Sequence, residues 1–157
     1  MRKATYGLFI VLVVIGASNV TAATDPFAGK WELDVLRSKY RSGTCPKSMV
    51  IEMEAVGKGI RYRSDTTYAN GSRTHSEYAA DYDGNQAIVA GAHGLMLPVF
   101  LKRIDSHTVI ASYTKNLHVV ATSRRVVSED GRLMTITTTS TDESGKRVTT
   151  IGIYKKQ

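Results

Sequence analysis

Arg124 and Arg125 are the side chains in this sequence with the most chemistry to offer. They are adjacent, and neighbouring positions on a β-strand point to opposite faces of the sheet. If the stretch is a strand in a closed sheet, one of the two guanidinium groups enters the interior. A guanidinium there needs a carboxylate, an aromatic face or an anionic ligand. Stacked on Trp31 it would be structural; facing a cavity it would be a carboxylate site. A second set of residues concerns the same interior. Tyr62, Tyr68, Tyr78 and Tyr82 share a strand face with Ser64, Thr66, Thr74 and Ser76. Buried phenols and hydroxyls must find hydrogen-bond partners. If that face points inward, ordered water or a polar ligand would supply them. Two arrangements stay open: an amphipathic cavity, or a filled core with the Tyr hydroxyls at the rims.

Signals for catalysis are thin. His75, His93, His107 and His118 lack metal-ligand spacing, and no nucleophile-elbow, P-loop or paired-cysteine motif occurs. His75 and Glu77 share one strand face, but that face is expected to point outward. Asp81 and Asp83 flank an expected turn, as do Asp142 and Glu143, and all four match turn chemistry. Cys45 is the single cysteine, so no internal disulfide can form. Flanked by Thr44 and Pro46, it is expected to be a half-exposed loop residue. The expectation is therefore a non-enzyme, with no catalytic residues, no metal and no cofactor.

The elements that must position these residues are strands. Period-2 alternation with turn signals predicts strands over 30–33, 48–56, 60–69, 73–82, 86–89, 99–105, 108–115, 118–128, 132–141 and 146–155. Gly57-Lys58-Gly59, Asn70-Gly71, Asp83-Gly84-Asn85 and Glu129-Asp130-Gly131 supply turns between them. Segment 34–46 is polar and predicts a long loop, with or without one helical turn. Residues 90–98 carry two glycines with Leu95, Met96 and Leu97. They would form either a lid at a barrel mouth or a plug in one end. No helical periodicity follows residue 24. Strands at this spacing, without long crossovers, predict an all-β, antiparallel up-and-down barrel of about 8–10 strands. Closure also removes the edges that so many consecutive strands would expose.

Before the barrel, residues 1–23 have the form of a secretory signal peptide. Arg2-Lys3 precedes an apolar run over 8–16, and small residues end at 22 or 23. A membrane span needs about 20 apolar residues, so no stable insertion is expected after cleavage. The reading is thus a signal peptide over 1–23, a barrel domain over 24–157, and a periplasmic or secreted location. The formal charge of +7 drops by two with the leader. A basic balance favours anionic partners, although scattered charges equally serve solubility. Nucleic acid is not an expected partner, because no aromatic–basic reader motif is present. Nothing in the sequence speaks to oligomeric state.

Several local runs occur together: Gly29-Lys30-Trp31-Glu32-Leu33, Ser38-Lys39-Tyr40, Tyr82-Asp83-Gly84, Leu101-Lys102-Arg103-Ile104-Asp105, the run RRVVSEDG over 124–131, and Tyr154-Lys155-Lys156-Gln157. Across nearly the whole chain after residue 23, this set resembles small secreted bacterial proteins described as lipocalin-like, of calycin type and of uncharacterised role. The resemblance implies a calycin-like barrel that binds a small hydrophobic or amphipathic molecule. It also implies structural roles for Gly29 and Trp31, the tryptophan packing under a cation from a late strand and plugging one end. The lipocalin Thr-Asp-Tyr motif is missing. The Arg-x-Tyr carboxylate clamp of fatty-acid-binding proteins is missing too, since the last strand carries Arg147-Val148-Thr149. The leading expectation is a non-enzymatic binder of a small amphipathic or hydrophobic ligand, with an anionic group admitted, and with Tyr62, Tyr68, Tyr78, Tyr82, Arg124 and Arg125 as candidate contacts. The alternative is a filled-barrel structural or protein-interaction module.

Overall fold

The computed structural model describes residues 25–41, 44–91, 97–142 and 144–157. The proposed leader, His93, Leu95 and Met96 lie outside them, so the lid-or-plug question for 90–98 does too. Among these residues the chain forms ten strands: β1 (Gly29–Leu33), β2 (Ser48–Val56), β3 (Gly59–Thr67), β4 (Arg73–Asp81), β5 (Asp83–Gly91), β6 (Leu97–Asp105), β7 (Thr108–Lys115), β8 (His118–Val127), β9 (Leu133–Thr141) and β10 (Arg147–Lys156). Each strand pairs antiparallel with its neighbours in sequence, and β1 pairs with β10 to close the barrel. No described residue is helical.

Alternation explains most of this. On β3, Tyr62, Ser64 and Thr66 are buried while Arg61, Arg63 and Asp65 between them are exposed. One difference from expectation concerns 83–85. These residues do not form a turn: the chain reverses at Tyr82, and β5 starts at Asp83. A register shift between Asp83 and Gln86 takes up Gly84 and Asn85 as a bulge within the strand. Among the described residues, the ladder between β4 and β5 holds two pairs in register, Ser76–Gly91 and Glu77–Ala90. Between β7 and β8, Asn116 and Leu117 form a tight turn at φ 50° and 66°.

One end of the barrel is solid. Trp31 is fully buried, and its indole Nε1–H donates to the Phe27 carbonyl at 2.9 Å. Lys156 Nζ, from the last strand, sits 5.0 Å from the Trp31 ring centroid. Gly29 makes room for that cation. A Cβ there would meet Lys156 Cε at 2.7 Å, and the backbone φ of 131° itself disfavours other residues. Beside Trp31, the Arg103 guanidinium lies over the rings of Phe27 (5.5 Å) and Tyr82 (4.0 Å) and pairs with Asp25. Such a stack satisfies the cation from above and below. Segment 34–46 contains a turn at 35–37 and one bridge, Lys39 to Ile151, then crosses toward the other end.

Candidate ligand-binding site

The opposite end is hollow. A cavity of about 340 Å³ opens there, among Tyr40, Thr44, Pro46, Met49, Tyr62, Ser64, Thr66, Tyr68, Thr74, Ser76, Tyr78, Val89 and Tyr113. Its position follows from the strand faces. Inward side chains near the plugged end are large and apolar, so they fill the barrel. Toward the other end the inward positions of β3 and β4 are Ser and Thr, which are too small to meet across it.

Arg125 is the buried member of the arginine pair, 3% exposed, whereas Arg124 lies on the outer surface. Arg124 therefore has no access to the cavity. Arg125 sits just beneath the cavity floor. Its guanidinium is 4.8 Å from the Tyr62 ring centroid and 5.9 Å from that of Tyr78. Its Nη2–H donates to the Tyr113 hydroxyl at 3.0 Å. Among the described residues no carboxylate is its hydrogen-bond or ion-pair partner, and neither its Nε nor the Tyr78 hydroxyl, both buried, has a partner. Tyr62 and Tyr78 stack on each other with centroids 4.8 Å apart and planes 12° apart.

The electrostatics of this group follow from burial. Loss of water works against the Arg125 charge, but the phenols of Tyr78, Tyr113 and Tyr62 outweigh it and raise its pKa above the ordinary arginine value. It stays a cation. Burial pushes the Tyr62 phenol up to about 12 and the Tyr78 phenol well above its usual value, with Arg125 pulling the other way in both. Both phenols are therefore neutral at pH 7. The arrangement forms a relay. Arg125 occupies a lone pair of the Tyr113 oxygen, which leaves the Tyr113 O–H free to donate into the cavity, polarised by the charge behind it. An acceptor at that point, best an anionic one, would complete the chain.

Of the other expected contacts, Tyr62, Tyr68 and Tyr78 line the cavity. Tyr82 does not. It has the same strand parity as Tyr78 but lies at the plugged end, where it stacks under Arg103, and burial pushes its phenol pKa up. Tyr113, Tyr40 and Met49 were not singled out from the sequence. For Tyr113 the signal was present, because Val109, Ala111 and Tyr113 alternate on one face. Tyr40 comes from the 34–46 segment, where no periodicity places a side chain. Cys45 is half-buried, with its thiol nearest the Pro46 carbonyl. His75 is on the outer face. Its Nδ1 is 2.8 Å from Asp65, and its Nε2 is 3.7 Å from Glu77. Among the described residues no group of three or more His, Cys, Asp or Glu side chains could hold a metal ion.

A closed ten-strand antiparallel barrel, plugged at one end by a tryptophan under a cation and hollow at the other, has the calycin-like fold. A search of family models finds no match, and neither does a search of curated proteins. Among solved structures, the chain is similar to zebrafish ileal bile acid-binding protein complexed with cholic acid. The TM-score is 0.54 and the identity 13%, covering 84% of this chain and 99% of that one. At that identity the likeness speaks for the fold.

Proposed function

We propose that the protein is a secreted or periplasmic, non-enzymatic carrier or sensor of a small amphipathic organic anion. The anionic group would accept a hydrogen bond from Tyr113, with Arg125 supplying positive charge from behind. One observation carries this reading: a fully buried guanidinium whose polar neighbours are phenols, set directly under a cavity. A purely structural cation at that depth would ordinarily be matched by a carboxylate; even the half-buried Arg103 is matched by Asp25. The solved neighbour's description, a bile-acid-binding protein holding cholic acid, supports a small-ligand role for this barrel type. The leader-like residues 1–23 support export. The lipocalin-like resemblance read from the sequence points the same way.

Titration of the purified chain with 1-anilinonaphthalene-8-sulfonate, an anionic polarity-sensitive probe, tests the reading. Saturable one-to-one binding is expected, weakened about tenfold or more in Tyr113→Phe, since a hydrogen bond to a charged group contributes on the order of 1.5–3 kcal/mol. Unsaturable binding, or binding indifferent to Tyr113→Phe and Arg125→Met, would sink it.

A further inference from the structure

The cavity has one polar wall of regular construction, flanked by the apolar side chains of Met49 and Val89. Across β3 and β4, Tyr62 stands opposite Tyr78, Ser64 opposite Ser76, and Thr66 opposite Thr74. All six line the cavity. The four hydroxyls thus form a ladder two residues wide, running from the mouth down to the stacked phenols. Ser64 and Thr66 are only 5% and 7% exposed, so their hydroxyls are well removed from bulk water. The chemistry changes on either side of this ladder. On β2 the position opposite Thr66 is Met49, and β5 contributes Val89.

An alkyl chain laid against the ladder would strip water from four hydroxyls and return no hydrogen bond, which is unfavourable for each buried group. A ligand that carries hydroxyls along one face and hydrocarbon on the other would satisfy both walls at once. The relay through Tyr113 adds an acid-binding point at the foot of the same cavity. From this juxtaposition we infer that the ligand is a facially amphipathic hydroxylated acid, and that Ser64, Thr66, Thr74 and Ser76 determine specificity against alkyl-chain acids. The inference rests on the anion-binding reading above and narrows it to one chemical class.

Calorimetric titrations with cholate, lithocholate and dodecanoate test it. Cholate presents three hydroxyls on one face of a ring system, lithocholate a single hydroxyl on the same skeleton, and dodecanoate none. Cholate is expected to bind about tenfold or more tighter than lithocholate, and dodecanoate weakest. In the variant S64A/T66V/T74V/S76A, whose side chains keep nearly the same shape, cholate should lose that advantage while lithocholate binding stays within about twofold. Near-ultraviolet circular dichroism of the variant checks that the barrel is intact. If the variant unfolds, the single changes Thr66→Val and Ser76→Ala carry the same comparison. Equal or tighter binding of dodecanoate would overturn the assigned class and leave the Tyr113–Arg125 site standing. Equal affinities for cholate and lithocholate would overturn it as well. Binding of none of the three overturns the class, and the anionic probe then decides the underlying reading separately.

Discussion

Arg125 shows how a functional group and a stabilising group can be told apart at the level of one side chain. The buried Arg125 and the half-buried Arg103 both touch aromatic rings, but of the two Arg103 has an acid. Replacing a buried cation by a well-packed apolar residue is often neutral or stabilising, because the desolvation cost disappears. Arg125→Met is therefore expected to hold or raise the melting temperature while lowering affinity for anionic ligands about tenfold. A fall of many degrees in thermal unfolding would assign Arg125 to the core instead. Trp31 behaves in the opposite way. Trp31→Ala should cost roughly 3–5 kcal/mol in chemical denaturation, as large-to-small core changes do, and leave ligand selectivity untouched. A loss below about 1 kcal/mol would contradict its role as the plug. His75 gives a pH signature. The hydrogen bond that His75 donates to Asp65 raises its pKa, burial works against this, and the Asp65 and Glu77 charges raise it further. A pKa raised by folding means that protonated His75 stabilises the barrel. That contribution is fully present below the unfolded value of about 6.5 and is lost as pH rises through the folded value. A proton NMR titration should place the midpoint above 6.5, and Asp65→Asn should lower it.

At the scale of the strand, alternation carries much information about which way a side chain faces and almost none about how far along the barrel it lies. That distinction explains what was legible. The edges of β2 and β7 follow from sequence, because nine and eight residues respectively alternate between clear turns. The arginine pair announced that one member must face inward, and parity alone could not choose. The choice became visible only when β8 was placed in register with β7 and β9, which buries Arg125, Ser123 and Val127 together. Tyr82 and Tyr78 share a face, yet one caps the plugged end and the other floors the cavity. Depth is set by strand tilt and stagger around the closed barrel, which no local pattern encodes. The turn expected at 83–85 failed for a related reason. Its residues suit a turn as well as they suit a bulge, and the pairing of β5 with β6 decided the matter. Close approach of strands also gives a prediction here. A Cβ on Gly59 would come within 1.9 Å of the Ala80 carbonyl oxygen. Gly59→Ala should force β3 and β4 apart at that end and cost about 1–3 kcal/mol, on the scale of overpacking, read by urea unfolding. An unchanged midpoint would show that the strands yield freely.

At the scale of the whole barrel, cations gather at the hollow end. Lys47, Arg73, Lys115, Lys146 and Arg147 are exposed around the hollow end, where Asp142 is paired with Arg41. The plugged end is mixed: Asp81, Asp83, Asp105, Glu129 and Asp130 are exposed there alongside Lys58, Arg132, Lys155 and Lys156. A positive mouth draws anions toward the cavity and orients them on approach. Stopped-flow association of an anionic ligand should slow as salt rises from 10 to 150 mM, a range over which the screening length shrinks from about 30 to 8 Å. Arg73→Glu with Lys115→Glu should flatten that dependence. A rate indifferent to salt would mean that the polarity plays no part in capture.

The two-pair contact between β4 and β5 also has a mechanical meaning. Around a closed ring every ladder carries the same circumferential load, so the shortest one sets the hoop strength of the barrel. Among the described residues, Ser76–Gly91 and Glu77–Ala90 hold this junction in register, the shortest ladder of the ring. The hydroxyl-bearing strand β4 therefore lies along the margin where the ring can part, and parting there would turn the barrel into an open, curled sheet with the hydroxyl wall at its edge.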